Sequence, residues 1–407
     1  MNILIANNFY APDVVGGAEL SVQGIAEGLA HRGHNVTILT TGQVDQDSTS
    51  NGVAICRRRF RGLMSYKEHL QARTSPKKVI NKVLTIDNPR NARIIEQAMK
   101  AQKTDVVLSN NLLGITVELW RTAHRLGIPI MHTLRDYALM CPNSTLVCAS
   151  HPHCAGRPKI VCEVMRKRLR KASELVNAAS APSQYTLEAH CKQGYFASAT
   201  TRVIHNAVAF DARVVQRALE QRLADEEAPR KRPLRIVYLG RLVEEKGVRM
   251  LLEALEMCHP QEVEAHFAGV GPLEDDIKRL HDGGTRVFLH GFLNKDKVHD
   301  LLMSCDVLVA PSVWPEPFGR IVLDAYIHAM PAVVSDAGGL PEVLVPGTGT
   351  VVEAGNASQL YQSLQSYIED RSKLLKEGKI AAQSTQMYTI ERQVEAFERE
   401  LATVARA

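Results

Sequence analysis

The chain has 407 residues, of which 45% are hydrophobic and 23% are charged, and its net charge is only +5. This length predicts two domains of about 200 residues each, and the composition is that of a globular protein. No apolar run approaches the ~18 residues of a membrane-spanning helix, and Met1 leads into a strand without the basic region of a signal peptide. We therefore expect a cytoplasmic protein rather than a membrane-spanning one.

The positive charge is concentrated in two windows of the N-terminal half. Residues 51–103 contain thirteen Lys or Arg against three acids, and residues 157–171 contain seven against one. A solvated basic face explains this pattern. A site for an anionic membrane surface or an acidic acceptor explains it as well, and would place the protein on the inner face of the membrane. Both interpretations stay open, whereas nucleic acid is disfavoured because these windows contain few aromatic residues.

The chain begins with a strand–turn–helix–strand unit. Strands are predicted over residues 2–6 and 35–40, and a helix follows the turn Gly16-Gly17-Ala18-Glu19. Glycines at such a turn let the backbone approach a ligand closely, and a helix N-terminus can bind phosphate. The same glycines would also fit an ordinary tight turn. The unit itself predicts the start of a doubly wound α/β domain.

A later strand, predicted over residues 128–134, delivers Arg135-Asp136-Tyr137. Arg135 can hold a phosphate or an acidic acceptor through bidentate hydrogen bonds. Pairing with Asp136 is the simpler interpretation. His132 lies three residues earlier, inside the strand.

Four of the eight cysteines fall within 22 residues, namely Cys141, Cys148, Cys154 and Cys162. They contain no Cys-x2-Cys pair, so a zinc ribbon is unsupported. A disulfide is disfavoured by the reducing cytosol. A structural metal site, with zinc as the metal, and a set of free thiols that stabilise a loop both stay open.

The charged stretch 207–233 ends in a proline-bounded basic run, which predicts a linker. A strand over residues 234–239 then leads into Gly240-Arg241, and Lys246 follows five residues later. Two cations across one strand-to-helix turn can converge on a diphosphate and neutralise a leaving group in place of Mg²⁺. Gly271 lies in the next turn of this kind, and Phe292 follows a further predicted strand.

The most informative stretch runs from residue 311 to residue 344. An apolar strand leads into a loop with three prolines, and a helical pattern starts at Gly319, so Glu316 lies just before a helix N-terminus. The next strand ends in Gly338-Gly339. Carboxylates accept hydrogen bonds from sugar hydroxyls, and helix N-termini suit phosphates. Two adjacent turns of this kind predict a crevice for a nucleotide sugar.

This stretch resembles the donor-site signature of the family 4 glycosyltransferases. The matching residues are Glu316, Phe318, Gly319, Asp324 and Gly338-Gly339-Leu340-Pro341-Glu342. Asp324 replaces the usual Glu and is one methylene shorter, and Ala329 replaces a usual Gly. The Gly-Gly-x-Glu turn at residue 16 and the Gly-Arg…Lys-Gly turn at residue 240 also match, so the resemblance covers nearly the whole chain.

The resemblance implies an α/β protein of the GT-B fold, in which two Rossmann-like doubly wound domains face a central cleft. Residues 1–206 would form the acceptor-side domain, residues 207–233 a linker, and residues 234–384 the domain that binds the donor nucleotide sugar. Residues 385–407 would form a helix that returns to the N-terminal domain.

The implied activity is retaining, metal-independent transfer of a sugar from a UDP- or GDP-sugar to a glycan or lipid-linked acceptor, in cell-surface polysaccharide or glycolipid synthesis. Arg241 and Lys246 would stabilise the departing diphosphate, and Glu316 would hold sugar hydroxyls. The resemblance implies donor contacts for Gly16, Gly17, Gly240, Gly271, Phe292, Phe318, Gly319 and Asp324. It implies acceptor-side roles for Glu19, Arg135 and Asp136, although the family often has a His where Arg135 stands.

Two other classes of protein stay open. An epimerase would need added acid–base residues beside the sugar, and a pyridoxal phosphorylase would need a lysine held for a Schiff base; neither motif is present. The other class is a non-catalytic scaffold that binds a nucleotide sugar or a membrane. It stays open because Arg135 stands where the family often has a His. The intact set of Arg241, Lys246 and Glu316 argues against it.

Overall fold

The computed structural model describes residues 1–14, 16–60, 88–112, 114–142, 144–146, 160–227, 232–282 and 284–406. The chain divides into two compact units. One consists of Met1–Asn206 together with Ile390–Ala407, and the other of Ala207–Thr389. Each unit has its own sheet, and no helix in the described ranges is long and apolar enough to cross a membrane.

Strands and helices alternate through most of the described chain. The strands are β1 (Asn2–Ala6), β2 (Asn35–Thr41), β3 (Gln46–Ser50), β4 (Val53–Arg58), β5 (Val106–Ser109), β6 (Ile130–Thr133), β7 (Ala178–Ala181), β8 (Thr200–Val203), β9 (Leu234–Leu239), β10 (Val263–Ala268), β11 (Arg286–Gly291), β12 (Val307–Ala310), β13 (Ala332–Ser335) and β14 (Gly349–Val352). The helices are α1 (Gly17–His31), α2 (Ala92–Ala101), α3 (Glu118–Arg125), α4 (Ile160–Ser173), α5 (Gln184–Cys191), α6 (Ala212–Glu227), α7 (Val248–Glu256), α8 (Glu274–Asp282), α9 (Lys295–Ser304), α10 (Ile321–Ile327), α11 (Leu340–Val343), α12 (Ala357–Glu369), α13 (Ser372–Ser384) and α14 (Ile390–Arg406).

The first unit is built on an eight-stranded sheet in the order β3-β4-β2-β1-β5-β6-β7-β8. Neighbouring strands are parallel except for β3 and β4, which are antiparallel. The central strands are apolar along their length because helices cover both faces of a sheet of this type. Strand β3 is exposed along its whole length. Its polar sequence, QDSTS, has no apolar alternation from which a strand could be predicted.

The C-terminal helix α14 packs against α1 within the first unit. Gly28 permits this close approach, because a Cβ there would lie 2.4 Å from the side chain of Val394. Phe397 and Leu401 of α14 are fully buried. Arg32 donates to Glu398 at 2.7 Å at the end of the same contact. Apolar burial and small residues therefore attach the end of the chain to its beginning.

The second unit has a six-stranded, all-parallel sheet in the order β11-β10-β9-β12-β13-β14. One apolar core, with Leu251 and Phe267, packs beneath α7 and α12; the other, with Leu308 and Tyr326, packs beneath α9 and α10. The strand order reverses between β9 and β12. Ligand crevices in open α/β sheets lie at such a reversal, outside the carboxyl ends of the strands.

Helix α6 packs on α13 and α10 in the second unit, where the sequence predicted a linker. Ala218 is fully buried in this contact. Arg222 donates to the carbonyls of Leu302, Cys305 and His328 at 3.3, 3.0 and 2.7 Å. These carbonyls lie at the ends of α9 and α10, so Arg222 supplies donors to the last turns of both helices. The charged composition of α6 concealed this packing role.

Candidate active site

The loops after β9, β12 and β13 are packed against one another at one edge of the second sheet. Gly247 has φ +71, and a Cβ there would lie 1.7 Å from the carbonyl oxygen of Pro311. Gly338 has φ +68, and its Cβ would lie 2.4 Å from the carbonyl oxygen of Glu316. Only glycine fits at either position, because another residue would meet backbone as well as an unfavourable φ. The glycines thus bring three loops together around Glu316.

Backbone hydrogen bonds hold the central loop on both sides. The N–H groups of Val313 and Trp314 donate to the carbonyl of Glu245 at 3.1 and 3.2 Å. On the other side, the N–H of Gly339 donates to the carbonyl of Glu316 at 2.7 Å. The backbone at Glu316 is therefore held from both neighbouring loops, which limits the positions its carboxylate can take.

Lys246 and Glu316 form an ion pair in this crevice. The Lys246 Nζ lies 2.5 Å from Glu316 Oε1, and Ser312 Oγ donates to the same oxygen at 2.7 Å. The ammonium also lies 5.0 Å from the ring centroid of Trp314. The side chains of Lys246 and Glu316 are 23% and 13% exposed, so both charges are partly accessible to solvent rather than enclosed in the core. The structure thus brings together two of the three predicted catalytic residues.

Arg241 lies on the same loop as Lys246, but its side chain is 62% exposed and pairs with Glu245 at 3.4 Å. Its backbone carbonyl accepts a hydrogen bond from Tyr238 Oη at 2.7 Å. The loop is therefore held at Arg241 while the guanidinium extends toward solvent. The predicted convergence of Arg241 and Lys246 on one anion requires the Arg241 side chain to turn from Glu245.

The predicted donor residues differ in exposure. Phe318 is 2% exposed and packs edge-on against Tyr388, so its side chain belongs to the core and only its backbone can face a ligand. Phe292 follows β11 and is 83% exposed. The N–H of Gly271 donates to Glu274 Oε1 at 3.2 Å at the start of α8. Gly240 and Gly319 lie in the loops after β9 and β12.

Asp324 lies half-buried on α10, one turn after the loop that carries Glu316. Burial raises its carboxyl pKa to about 6, although Arg320 and Lys295 oppose the shift. His328 Nδ1 lies 2.6 Å from the Asp324 carbonyl oxygen, and its other ring nitrogen lies 2.8 Å from His299. Burial lowers the pKa of His328 to about 4, so this histidine is neutral near pH 7. Sequence reasoning did not identify His299 and His328, because a lone histidine on a helix carries no motif.

The first glycine turn starts helix α1 in the first unit. Gly16 is the residue before the helix, and its N–H donates to the Glu19 carboxylate at 2.8 Å. Glu19 is only 7% exposed. This bond satisfies one of the donors that a helix N-terminus leaves unpaired. It gives Glu19 a structural role beside the acceptor-side role that the resemblance implied, and Gly17 is the first residue of the helix.

Arg135 is buried at the end of β6. Its Nε donates to Asn110 Oδ1 at 3.1 Å, and its Nη1 donates to Asn206 Oδ1 at 2.8 Å. The neighbouring Asp136 accepts a hydrogen bond from the N–H of Ala138 at 2.7 Å. Two amide oxygens therefore orient the guanidinium, and the sequence pattern did not predict either contact.

His132 is a core residue. It is 3% exposed, lies 2.9 Å from Ser109 Oγ, and packs against Trp120 and Phe196 at centroid distances of 5.0 and 5.7 Å. Burial lowers its pKa to about 3, so the ring is neutral. His132 is therefore a packed side chain in the core of the first unit.

The four-cysteine segment is only partly described. Cys148 and Cys154 lie outside the described residues, Cys141 is buried, and Cys162 is half-buried at the start of α4. Among the residues that the structure does describe, no group of three or more His, Cys, Asp or Glu side chains could hold a metal ion. The metal site at these cysteines stays a prediction.

Two family profiles together match most of the chain. The profile described as "Glycosyltransferase Family 4" matches residues 15–212, and "Glycosyl transferases group 1" matches residues 220–384. An uncharacterized 42.6 kDa protein in the cps region of Klebsiella pneumoniae is 26% identical over 84% of this chain and 87% of its own length. An uncharacterized glycosyltransferase of Methanocaldococcus jannaschii is 27% identical over 84% and 83%.

Solved structures share the fold. The chain is similar to the HepE protein of Anabaena in complex with UDP, with a TM-score of 0.70 and 21% identity over 99% of this chain and 100% of that one. It is also similar to sucrose-phosphate synthase of Thermosynechococcus elongatus, with a TM-score of 0.74 and 18% identity over 99% and 98%.

The fold and the family profiles define a GT-B glycosyltransferase. The chain belongs to the group 1 glycosyltransferases of family 4, and the predicted fold class and enzyme class are confirmed.

Proposed function

We propose that this glycosyltransferase moves a sugar from a nucleoside-diphosphate sugar to a glycan or lipid-linked acceptor, with retention at the anomeric carbon. The Lys246–Glu316 pair carries the proposal, because it places one cation and one carboxylate 2.5 Å apart at the carboxyl ends of parallel strands. An ammonium suits a diphosphate, and a carboxylate suits the hydroxyls of a sugar. One nucleotide sugar presents both groups side by side.

When the donor binds, Lys246 and Glu316 would each exchange the other for a group of the donor. Phosphate oxygens would take hydrogen bonds from Lys246, and sugar hydroxyls would donate to Glu316. Ser312 would keep Glu316 in place during the exchange, because its hydroxyl donates to the same carboxylate oxygen at 2.7 Å. Within the ion pair, each of the two charges is compensated by the other.

The proposed reaction takes place on one face of the sugar. The bond from the anomeric carbon to the diphosphate oxygen breaks, and the acceptor hydroxyl forms a new bond to that carbon on the same face. A phosphate oxygen of the leaving diphosphate takes the hydroxyl proton. Lys246, joined by Arg241 once that side chain turns from Glu245, stabilises the negative charge that develops on the diphosphate. These two cations supply the neutralisation for which other enzymes use Mg²⁺.

UDP-sugars are the first donors to test. HepE, which shares the fold, has been solved with UDP and with UDP-glucose. The relative from the cps region of Klebsiella pneumoniae supports a role in surface polysaccharide synthesis. The proposed donor is therefore a UDP-sugar, with GDP-sugars as the second choice.

Thermal shift with UDP-, GDP- and ADP-sugars in chelator-treated buffer, followed by hydrolysis of the best donor, tests the proposal. We expect one base to raise the melting temperature, and Lys246→Ala to lower donor turnover by about 10²–10³-fold. Lys278→Ala, an exposed lysine on α8, is the matched control and should leave turnover unchanged. Equal turnover in Lys246→Ala and the parent chain, or turnover only after a divalent metal is restored, would contradict the proposed roles.

A further inference from the structure

Helix α4 presents an exposed stripe that no part of the proposed reaction uses. The stripe consists of Ile160, Val164, Lys167, Arg168 and Lys171. They lie on one helical face because each residue is three or four positions from another member of the set. Ile160 is 84% exposed and Val164 is 44% exposed. The three basic residues are exposed as well. We call this set the outward stripe.

The opposite face of α4 is packed into the first unit. Met165, Leu169 and Ala172 are buried there. Arg166 is 4% exposed and donates through Nε to the carbonyl of Met140 at 2.7 Å, and Tyr195 Oη donates to the Arg166 carbonyl at 3.3 Å. The rotation of the helix about its axis is therefore fixed. The outward stripe faces solvent because the other face is anchored.

The surroundings of the stripe are also basic. Helix α4 packs beside α3, and α3 packs beside α2, whose exposed faces add Arg93 and Arg121. Three acids lie beside this layer: Glu163 is 3.4 Å from Arg170, Glu96 pairs with Lys100 and Arg125, and the exposed Glu174 follows α4. Glu163 and Glu96 are each compensated by a basic neighbour, and Glu174 offsets one charge of the stripe. The layer therefore keeps an excess of positive charge beyond the stripe itself.

We propose that the outward stripe of α4 docks the protein on an anionic lipid bilayer. Ile160 and Val164 would enter the boundary between headgroups and acyl chains, and Lys167, Arg168 and Lys171 would contact lipid phosphates. The apolar pair favours a bilayer over a nucleic acid, because a nucleic acid offers phosphates but no acyl layer that would bury exposed Ile and Val side chains. The proposal goes beyond glycosyl transfer and requires neither donor nor acceptor.

Co-sedimentation of the full chain with vesicles tests this proposal. Phosphatidylcholine vesicles are compared with vesicles of phosphatidylcholine and phosphatidylglycerol in equal parts. We expect binding to the anionic vesicles only, weakening as the salt concentration rises. The triple variant Lys167→Glu, Arg168→Glu, Lys171→Glu should lower the partition coefficient at least about 100-fold, because each basic residue near an anionic surface contributes a factor of roughly five.

Two further variants distinguish binding through the outward stripe from a nonspecific effect of the protein's net charge. The matched control is Lys278→Glu, Lys376→Glu, Lys379→Glu, which makes the same charge change on exposed residues of the second unit and should bind nearly as the parent does. The pair Ile160→Ser, Val164→Ser keeps every charge and should lower binding about tenfold or more. The proposal is overturned if the parent does not bind anionic vesicles, or if the two triple charge-reversal variants lower vesicle binding equally. It is also overturned if a DNA oligonucleotide binds through the basic residues while the serine pair leaves vesicle binding unchanged.

Discussion

At the scale of single residues, the site depends on one carboxylate oxygen. Glu316 Oε1 accepts from both the Lys246 ammonium and the Ser312 hydroxyl. Trp314 covers the ammonium with the face of its ring. The sequence motif identified Lys246 and Glu316, whereas Ser312 and Trp314 were not assigned a role. They acquire one only because the loop folds back toward the turn that carries Lys246.

Ser312→Ala tests this second set of contacts. It removes a neutral donor from a charged acceptor, an interaction of about 1.5–3 kcal/mol, so we expect kcat/KM for donor hydrolysis to fall roughly 10- to 100-fold. The control is Ser366→Ala, which removes a hydroxyl that donates to the carbonyl of Ser363 on α12. Steady-state kinetics of donor hydrolysis by both variants measures the two losses in kcat/KM. Similar losses in the two variants would show that the hydroxyl is not specific to the site.

Asp324 predicts a pH dependence of donor binding. Its pKa is raised from 3.8 to about 6 by burial, so the carboxylate that would accept hydrogen bonds from ribose is lost as pH falls through about 6. We expect donor affinity measured by calorimetry to weaken below that pH, and to lose this dependence in Asp324→Asn. A parent affinity that stays flat between pH about 5 and about 7 would contradict the assignment.

The same shift has a consequence for stability. A carboxyl with a raised pKa in the folded chain binds more protons when folded than when unfolded, so its effect on the free energy of unfolding becomes less favourable as pH rises from 3.8 to about 6. Asp324→Asn should therefore be more stable relative to the parent at neutral pH than near pH 4. Thermal melts of both proteins at the two pH values measure this difference.

At the scale of elements, the loops matter more than the strands that carry them. Strands β9, β12 and β13 supply a rigid edge, but the loops after them reach the same place only through close backbone contacts. The turn that carries Lys246 contacts the loop that carries Glu316 at Gly247 and Pro311. A helix or strand pattern does not reveal such a contact, because the two residues are far apart in sequence.

Gly247→Ala tests the junction between these loops. A Cβ there would lie 1.7 Å from the Pro311 carbonyl oxygen, and φ is +71, so the loops must separate. We expect the variant to fold, with a free energy of unfolding lowered by about 1–3 kcal/mol and turnover lowered at least tenfold. Gly127→Ala has a similar φ of +68 but open space around the Cβ, and is the matched control for backbone strain alone. Turnover lost equally in both variants would contradict the role of the close approach.

At the scale of the whole molecule, the chain closes its first unit with its last helix. Helix α14 buries Phe397 and Leu401 against α1, whose glycines face Ile390 and Val394. The first unit therefore depends on residues at both ends of the sequence. The two units also differ in charge and proposed role. The basic layer of α2, α3 and α4 belongs to the first unit, and the proposed donor site belongs to the second.

Gly28→Leu should destabilise the contact between α1 and α14. A Cβ at this position would already lie 2.4 Å from the Val394 side chain, so overpacking should lower the free energy of unfolding by about 1–3 kcal/mol. Denaturant titration measures the loss. Because the two residues share one contact, Val394→Ala combined with Gly28→Leu should recover part of it, and strictly additive losses would contradict the packing explanation.

Local sequence patterns were enough to predict the alternation of strands and helices, the family and two of the central site residues. Buried parallel strands need apolar runs and strand-to-helix turns need glycine, so β1, β9 and the Lys246 and Glu316 loops could be predicted from local pattern. Such patterns did not predict strand β3, which is polar and exposed, or the packing of α6, whose charged residues hide an apolar face.

Which side chains contact one another could be seen only in the folded chain. The fold placed Ser312 and Lys246 on the same oxygen of Glu316, bound Arg135 to Asn110 and Asn206, and turned one face of α4 outward. These contacts join residues that are distant in sequence, or depend on the rotation of a helix. Both are set by the packing of the whole unit, because side-chain partners are chosen by distance in space and not by spacing along the chain.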